Sequence, residues 1–175
     1  VTVTAEFEYI DYEIKVTGGA AQVNDGDTFS TNAAHYGDNV KIKAHDPGTG
    51  MKFKNWTITG VDTSELVLTN EELTFTMPAN AVTATANYDF IDYTVTVTGG
   101  MAKVNGGVAS ASVKAHYGEE VTITAEVPVG KEFVMWSFDG LVPDGLTLTD
   151  KELTFTMPDN AVTATAEFSD LVECD

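Results

Sequence analysis

Two histidines, two tryptophans and one acidic loop are the side chains whose types and placement could support chemistry in this chain. His35 and His116 occupy matching places in two similar halves, each followed by Tyr-Gly. A zinc site needs three or four convergent ligands, and neither histidine has a Cys partner or a second His or acid at ligand spacing. The expectation is a strand-entry histidine contacting backbone. His45 has no counterpart, because Glu126 takes its place. Serines are few, with no Gly-x-Ser-x-Gly and no Ser or Cys set beside a repeated His and acid, so nucleophilic catalysis lacks its parts. Paired carboxylates perform glycosidase chemistry, but the recurring pairs Asp11/Asp92 and Glu72/Glu152 fall at a joint and at a strand start. No enzymatic activity, catalytic residue or cofactor is expected.

Hard cations want several oxygens from one loop. Asn24-Asp25-Gly26-Asp27 supplies some, which makes Asp25 and Asp27 the calcium candidates. The second half reads Asn105-Gly106-Gly107-Val108 and discards both carboxylates, so any metal role is confined to the first. Trp56 and Trp136 would stack on a glycan if exposed. Each is also the largest apolar residue available to a small core, and burying an aromatic ring removes ~150–250 Å² from water. Core anchors are expected. Intramolecular isopeptide bonds require a buried Lys, yet Lys15, Lys41 and Lys52 become Thr96, Thr122 and Glu132, so none is expected. The sequon Asn55-Trp56-Thr57 is not repeated.

These residues are carried on a chain of 175 residues with nine Lys, no Arg and 27 acidic residues, a formal charge of −18. Such a surface repels nucleic acid and anionic membranes, and scattered acids keep a solvated surface from aggregating. The single Cys174 lies outside both repeats, so no intramolecular disulfide holds them and packing must. No apolar run approaches the ~20 residues that span a bilayer.

Self-similarity organises the chain. Tyr12 to His45 aligns with Tyr93 to Glu126 at an offset of 81, and after one residue is lost between Asp46-Pro47-Gly48-Thr49-Gly50 and Val127-Pro128-Val129-Gly130 the offset is 80. Strict alternation, which sends successive side chains to opposite faces, marks strands at Tyr12–Thr17, Val40–Ala44, Leu73–Met77 and Val82–Tyr88. Phe53 to Ile58 makes a fifth, with a bulge or two-sided burial needed because Phe53 and Trp56 fall on opposite faces of a regular strand. Helical periodicity is absent. The fold class is therefore all-β: two tandem small antiparallel β domains, β-sandwich-like or β-grasp-like. The expected partition is residues 9–89 and 90–169 as the two modules, with a tail at 170–175. Residues 1–8 resemble Val82–Tyr88 and Val162–Phe168, and are expected to be either the last strand of a preceding repeat or a strand added to the first module. The joint Asp89-Phe90-Ile91-Asp92, matched by Glu8-Tyr9-Ile10-Asp11, has no Gly, Ser or Pro, so a stiff connection is expected.

The order Tyr-x-Val-x-Val-x-Gly-Gly, Tyr-Gly-x-x-Val-x-Ile-x-Ala, Pro-x-Gly-x-x-Phe-x-x-Trp, Thr-Phe-Thr-Met-Pro and Ala-Val-Thr-Ala-Thr-Ala resembles the divergent internalin-type B-repeat of bacterial surface proteins. Phe133-Val134-Met135-Trp136 and Phe155-Thr156-Met157-Pro158 are its most specific parts here. The resemblance implies a tandem-repeat spacer, stalk or adhesion segment of a secreted or cell-wall-attached protein, partnered by neighbouring repeats. It brings no catalytic residue. The related repeats have a β-grasp-like arrangement with a short helix, and no stretch here has helical periodicity. A glycan-binding accessory module of a secreted carbohydrate-active enzyme is the alternative.

Overall fold

A computed structural model describes residues 1–140 and 142–171; Cys174 and the question of its pairing lie outside the described residues. The chain forms two compact units, Val1–Asp89 and Phe90–Asp175. Both are all-β, with no helix among the described residues.

The first unit contains β1 (Asp11–Thr17), β2 (Gly19–Val23), β3 (Thr28–Phe29), β4 (Thr31–His35), β5 (Asn39–Ala44), β6 (Met51–Thr59), β7 (Glu72–Thr76) and all but the last residue of β8 (Val82–Phe90), Phe90 being where the second unit begins. They form two sheets, β4-β1-β8-β6 and β3-β2-β5-β7. The second unit repeats the plan with β9 (Tyr93–Thr98), β10 (Gly100–Val104), β11 (Ser112–Ala115), β12 (Glu120–Ala125), β13 (Lys131–Asp139), β14 (Glu152–Thr156) and β15 (Val162–Asp170). Its sheets are β11-β9-β15-β13 and β10-β12-β14. Ala102 and Ser110 form a single bridge near the place where β3 pairs in the first copy.

The expected strands form, and the alternation faces as read: Ile14, Val16, Val40, Ile42, Leu73, Phe75, Met77, Val82 and Ala84 are buried. Within the all-β class, one pairing per module is parallel, β1 with β8 and β9 with β15. Parallel neighbours need a long crossover, and here the second sheet is that crossover. Strands β2 and β4 were not marked by alternation, since Gly-Ala-Ala-Gln-Val and Thr-Asn-Ala-Ala-His lack the large apolar residues that make period 2 visible. Of the bulge or two-sided burial expected near the tryptophan, a bulge is present in the second copy, where the register of β13 against β15 shifts between Phe133 and Met135. The extra residue turns Phe133 and Trp136 to one side, their ring centroids 5.7 Å apart.

Each pair of sheets closes on one hydrophobic core. Among the described residues, thirteen buried apolar side chains of the first core match thirteen of the second position by position, and Ile14/Val95 is the only pair that differs in type. Trp56 and Trp136 are the largest members, 1% and 0% exposed. Trp136 Nε1–H donates to the Asp150 carbonyl at 3.1 Å. Trp56 Nε1, equally buried, has no protein acceptor, and Asn70 stands where Asp150 does. Residues 1–10 carry no strand, and Val1, Val3 and Phe7 are exposed.

Two outcomes follow from this packing. A Cβ placed on Gly19 would stand 2.5 Å from the Lys43 carbonyl and 2.6 Å from Trp56 Cη2; Gly19→Ala should therefore lower stability by ~1–3 kcal/mol through overpacking, read as the shift of the urea midpoint. Both tryptophans should resist collisional quenching by acrylamide in the native chain and become quenchable on unfolding. Quenching of either at native urea concentrations contradicts the burial.

Candidate functional site

The joint ahead of each module ends in an aromatic residue, Ile and Asp: Tyr9-Ile10-Asp11 and Phe90-Ile91-Asp92. Strand pairing delivers a histidine to that aspartate. Asp11 opens β1 directly opposite His35 at the end of β4, and directly opposed residues of an antiparallel pair bring their side chains together. In the second copy Tyr93 pairs with Ala115, so one step further along the same register places Asp92 beside His116. The contacts are His35 Nε2 to Asp11 Oδ1 at 3.1 Å and His116 Nε2 to Asp92 Oδ1 at 3.0 Å.

The Tyr-Gly turn brings a second acid to each ring. The glycines take φ of +90° at Gly37 and +85° at Gly118, which folds the chain back after the histidine. Asp38 N–H donates to the His35 carbonyl at 3.1 Å, and His35 N–H donates to Asp38 Oδ2 at 2.8 Å. The matching bonds in the second copy are 3.1 Å from Glu119 N–H to the His116 carbonyl and 2.7 Å from His116 N–H to Glu119 Oε2. The other ring nitrogen thus faces a carboxylate, His35 Nδ1 to Asp38 Oδ2 at 3.7 Å and His116 Nδ1 to Glu119 Oε2 at 3.5 Å.

An asparagine from the other sheet completes the cluster. Asn24 and Asn105 follow β2 and β10 in left-handed conformation, φ +46° and +48°, which Asn tolerates better than most residues. Asn24 Nδ2–H donates to Asp38 Oδ1 at 2.8 Å while its Oδ1 accepts from Asn39 N–H at 2.9 Å. Asn105 repeats this with Glu119 Oε1 at 2.9 Å and Glu120 N–H at 3.2 Å. Asp38 consequently lies below the ordinary carboxylate range, held there by the Asn24 amide first, then by the His35 backbone N–H and the imidazole charge. Asp92 is also lowered, chiefly by its bond to and the charge of Lys114 and then by His116. Ala33 stands where Lys114 does, so the second cluster carries an extra cation.

An aromatic ring from the joint caps each imidazole. Tyr9 lies over His35 with centroids 4.7 Å apart and planes inclined 34°, and Phe90 over His116 at 5.0 Å and 30°.

Each of the two histidines, expected at a strand entry and in contact with backbone, follows or ends its strand instead and also faces two carboxylates. Asp11/Asp92 reach the rings through strand register, and Asp38/Glu119 through the turn. Asp38/Glu119 and Asn24/Asn105 were missed as members of a cluster. Their recurrence at the offset of 81, with Asp exchanged for Glu, was the available signal. Chemically each cluster is an imidazole clamped between two carboxylates, without a nucleophile beside it.

The other sequence candidates separate from this cluster. Asp25 and Asp27 are exposed in the β2–β3 turn, where the amide oxygen of Asn24 is already committed to a backbone N–H. Among the described residues no group of three or more His, Cys, Asp or Glu is placed to hold a metal ion. Buried, Trp56 and Trp136 offer no ring face to a sugar. Exposed rings that recur include Tyr36, 73% exposed, and Tyr117, 49%, at the tip of the Tyr-Gly turn, together with Tyr9 and Phe90 of the joints. The first module also has a shallow groove of about 430 Å³ on the outer face of β2 and β5, lined by Ala20, Gln22, Lys41 and Lys43. Met101 stands where Ala20 does, so the groove's floor is not a repeated feature.

No helix of the described residues is long and apolar enough to cross a membrane. No curated protein and no solved structure matches the chain. The divergent InlB B-repeat domain matches residues 12–92 and again residues 93–171. Repeats of this family are typically non-catalytic and occur in bacterial surface or secreted proteins. With the match covering almost the whole chain in two tandem copies, this protein belongs to the divergent InlB B-repeat family.

Proposed function

We propose that this chain is a non-catalytic spacer segment of a bacterial secreted or cell-wall-attached protein, in which tandem modules hold another domain away from the surface. The observation that carries this reading is what the two copies keep. Their cores agree position by position, whereas the acids of the β2–β3 turn, the lysines and the groove floor do not recur. A surface selected to bind one ligand would repeat its contact residues; a scaffold repeats its core. Each module has neighbouring repeats of the same chain as its partners. Residues 1–8 fit as the last strand of a preceding repeat: Val1 and Val3 are exposed here, while Val82 and Ala84 at the matching positions of β8 are buried.

The second reading is adhesion through a broad, weak face, and the recurring exposed rings of Tyr36 and Tyr117 favour it. A glycan-binding accessory module would have to use exposed rings such as these, since the tryptophans are buried. Beads coated with the intact chain should show no saturable retention on glycan arrays or on immobilised matrix proteins if the chain is a spacer. Saturable retention that the double variant Tyr36→Ala/Tyr117→Ala abolishes would establish the adhesive reading in its place.

A further inference from the structure

We propose that each module is a tension-bearing clamp: its first and last strands, β1 with β8 and β9 with β15, form a parallel ladder that a pull on the chain ends loads in shear. This deepens the spacer reading and rests on it only for the source of the tension. The clamp itself is a property of each module alone.

The direction of the strands decides how a pull is carried. Ile14 to Thr17 of β1 pair in parallel with Val82 to Thr85 of β8, and Val95 to Thr98 of β9 with Val162 to Thr165 of β15. In a parallel pair the N-terminal end of one strand and the C-terminal end of the other lie at opposite ends of the shared ladder. The chain enters β1 at Asp11 and leaves β8 at Phe90. Tension between those two points therefore slides the strands past each other along their length. The bonds of a parallel ladder are evenly spaced, so all of them take up the load together. Were the two strands antiparallel, both chain ends would leave from the same end of the ladder and the bonds would open one at a time.

The surroundings of the ladder add to its resistance. β1 and β8 are the two central strands of β4-β1-β8-β6, as β9 and β15 are of β11-β9-β15-β13. Withdrawing β1 also breaks its pairing with β4, from Asp11 opposite His35 to Lys15 opposite Thr31. β9 is held in the same way by β11. The core closes one face of the ladder to water, since Ile14, Val16, Val82 and Ala84 are buried, and so are their counterparts in the second module. A hydrogen bond shielded in this way is stronger than one exposed to water. Resistance to a pull is governed by the rate of unfolding under load rather than by equilibrium stability. The ladder thus supplies a mechanical strength that a chain with a single cysteine cannot draw from internal disulfides.

Single-molecule pulling on the full chain, with handles attached through thiols and at one loading rate, tests the clamp. Glu6→Cys, exposed ahead of β1, together with the native Cys174 loads both modules end to end. Two ruptures are expected, each lengthening the chain by up to about 260–290 Å, the reach of roughly 80 residues at 3.3–3.6 Å each. Glu6→Cys/Asn80→Cys/Cys174→Ser instead puts both handles at one end of the first ladder, because Asn80 is exposed just ahead of Val82 and Val82 is in register with Ile14. The first module should then open at about half the end-to-end force or less, since one pair at a time carries the load. Equal forces in the two geometries, or a lower force end to end, would overturn the proposal. Either result leaves intact the retention measurement on glycans and matrix proteins, which tests the spacer reading separately.

Discussion

A tryptophan pressed against a glycine is the interaction on which each module depends. Trp56 rises from β6 in one sheet and reaches β2 in the other, where Gly19 leaves no side chain in its path. Trp136 and Gly100 repeat the contact between β13 and β10. A module of this size buries a smaller share of its surface than a large domain does, so one wide side chain that bridges both sheets contributes more than its single position suggests. The requirement is steric, and it runs in both directions: the ring needs the glycine, and the glycine's neighbours need the ring to fill the gap. Phe53 and Phe133, packed 5.8 and 5.7 Å from the two tryptophans, extend the same contact toward the sheet's free end.

The residues that carried this packing were legible in the sequence because their type and spacing both recur. Alternation identified the faces of β1, β5, β7 and β8, and the mismatch between Phe53 and Trp56 called for a bulge or two-sided burial, of which a bulge appears at Phe133 in the second copy. β2 escaped notice because its role is to be small. Alanine and glycine at Gly19, Ala20 and Ala21 give no hydrophobic signal, although Ala21 is fully buried. The parallel pairing of β1 with β8 was equally silent, since it joins the two ends of the module and no local pattern reports on contacts of such long range. The histidine clusters were half legible. Recurrence of His35 and of Asp11 was visible, but their meeting depends on the register of β1 against β4, which only the three-dimensional pairing fixes.

Differences between the copies show which polar contacts the scaffold can exchange. Tyr88 donates its hydroxyl to the carbonyls of Gly18 and His45, at 2.5 and 2.9 Å, and burial raises its pKa. Phe168 fills the same place in the second copy without that bond, and the Glu126 N–H bond to the Gly99 carbonyl, 2.9 Å, closes the turn as His45 N–H does with Gly18. The buried indole N–H is satisfied in one copy and lacks a protein acceptor in the other. Such exchanges cost about 1–3 kcal/mol each where a buried donor is left alone and about 1 kcal/mol otherwise, whereas a change in the shape of the core is felt by every neighbour. The acid of the turn is different. Asp38 becomes Glu119, a longer side chain, yet both the backbone N–H and the asparagine amide remain bonded. Retention of a full set of contacts through a change of side-chain length marks that carboxylate as part of the framework.

That framework also explains why the joint belongs with the module that follows it. Asp92, Phe90 and Lys114 all meet around His116, within the unit that begins at Phe90. The family match draws its boundary after residue 92, where the sequence repeat restarts. The two divisions differ because a repeat in sequence is defined by where the pattern recurs, and a unit in structure by where the contacts lie. A module that carries its own leading joint brings its aromatic cap and aspartate to the histidine at a register set by its own strands.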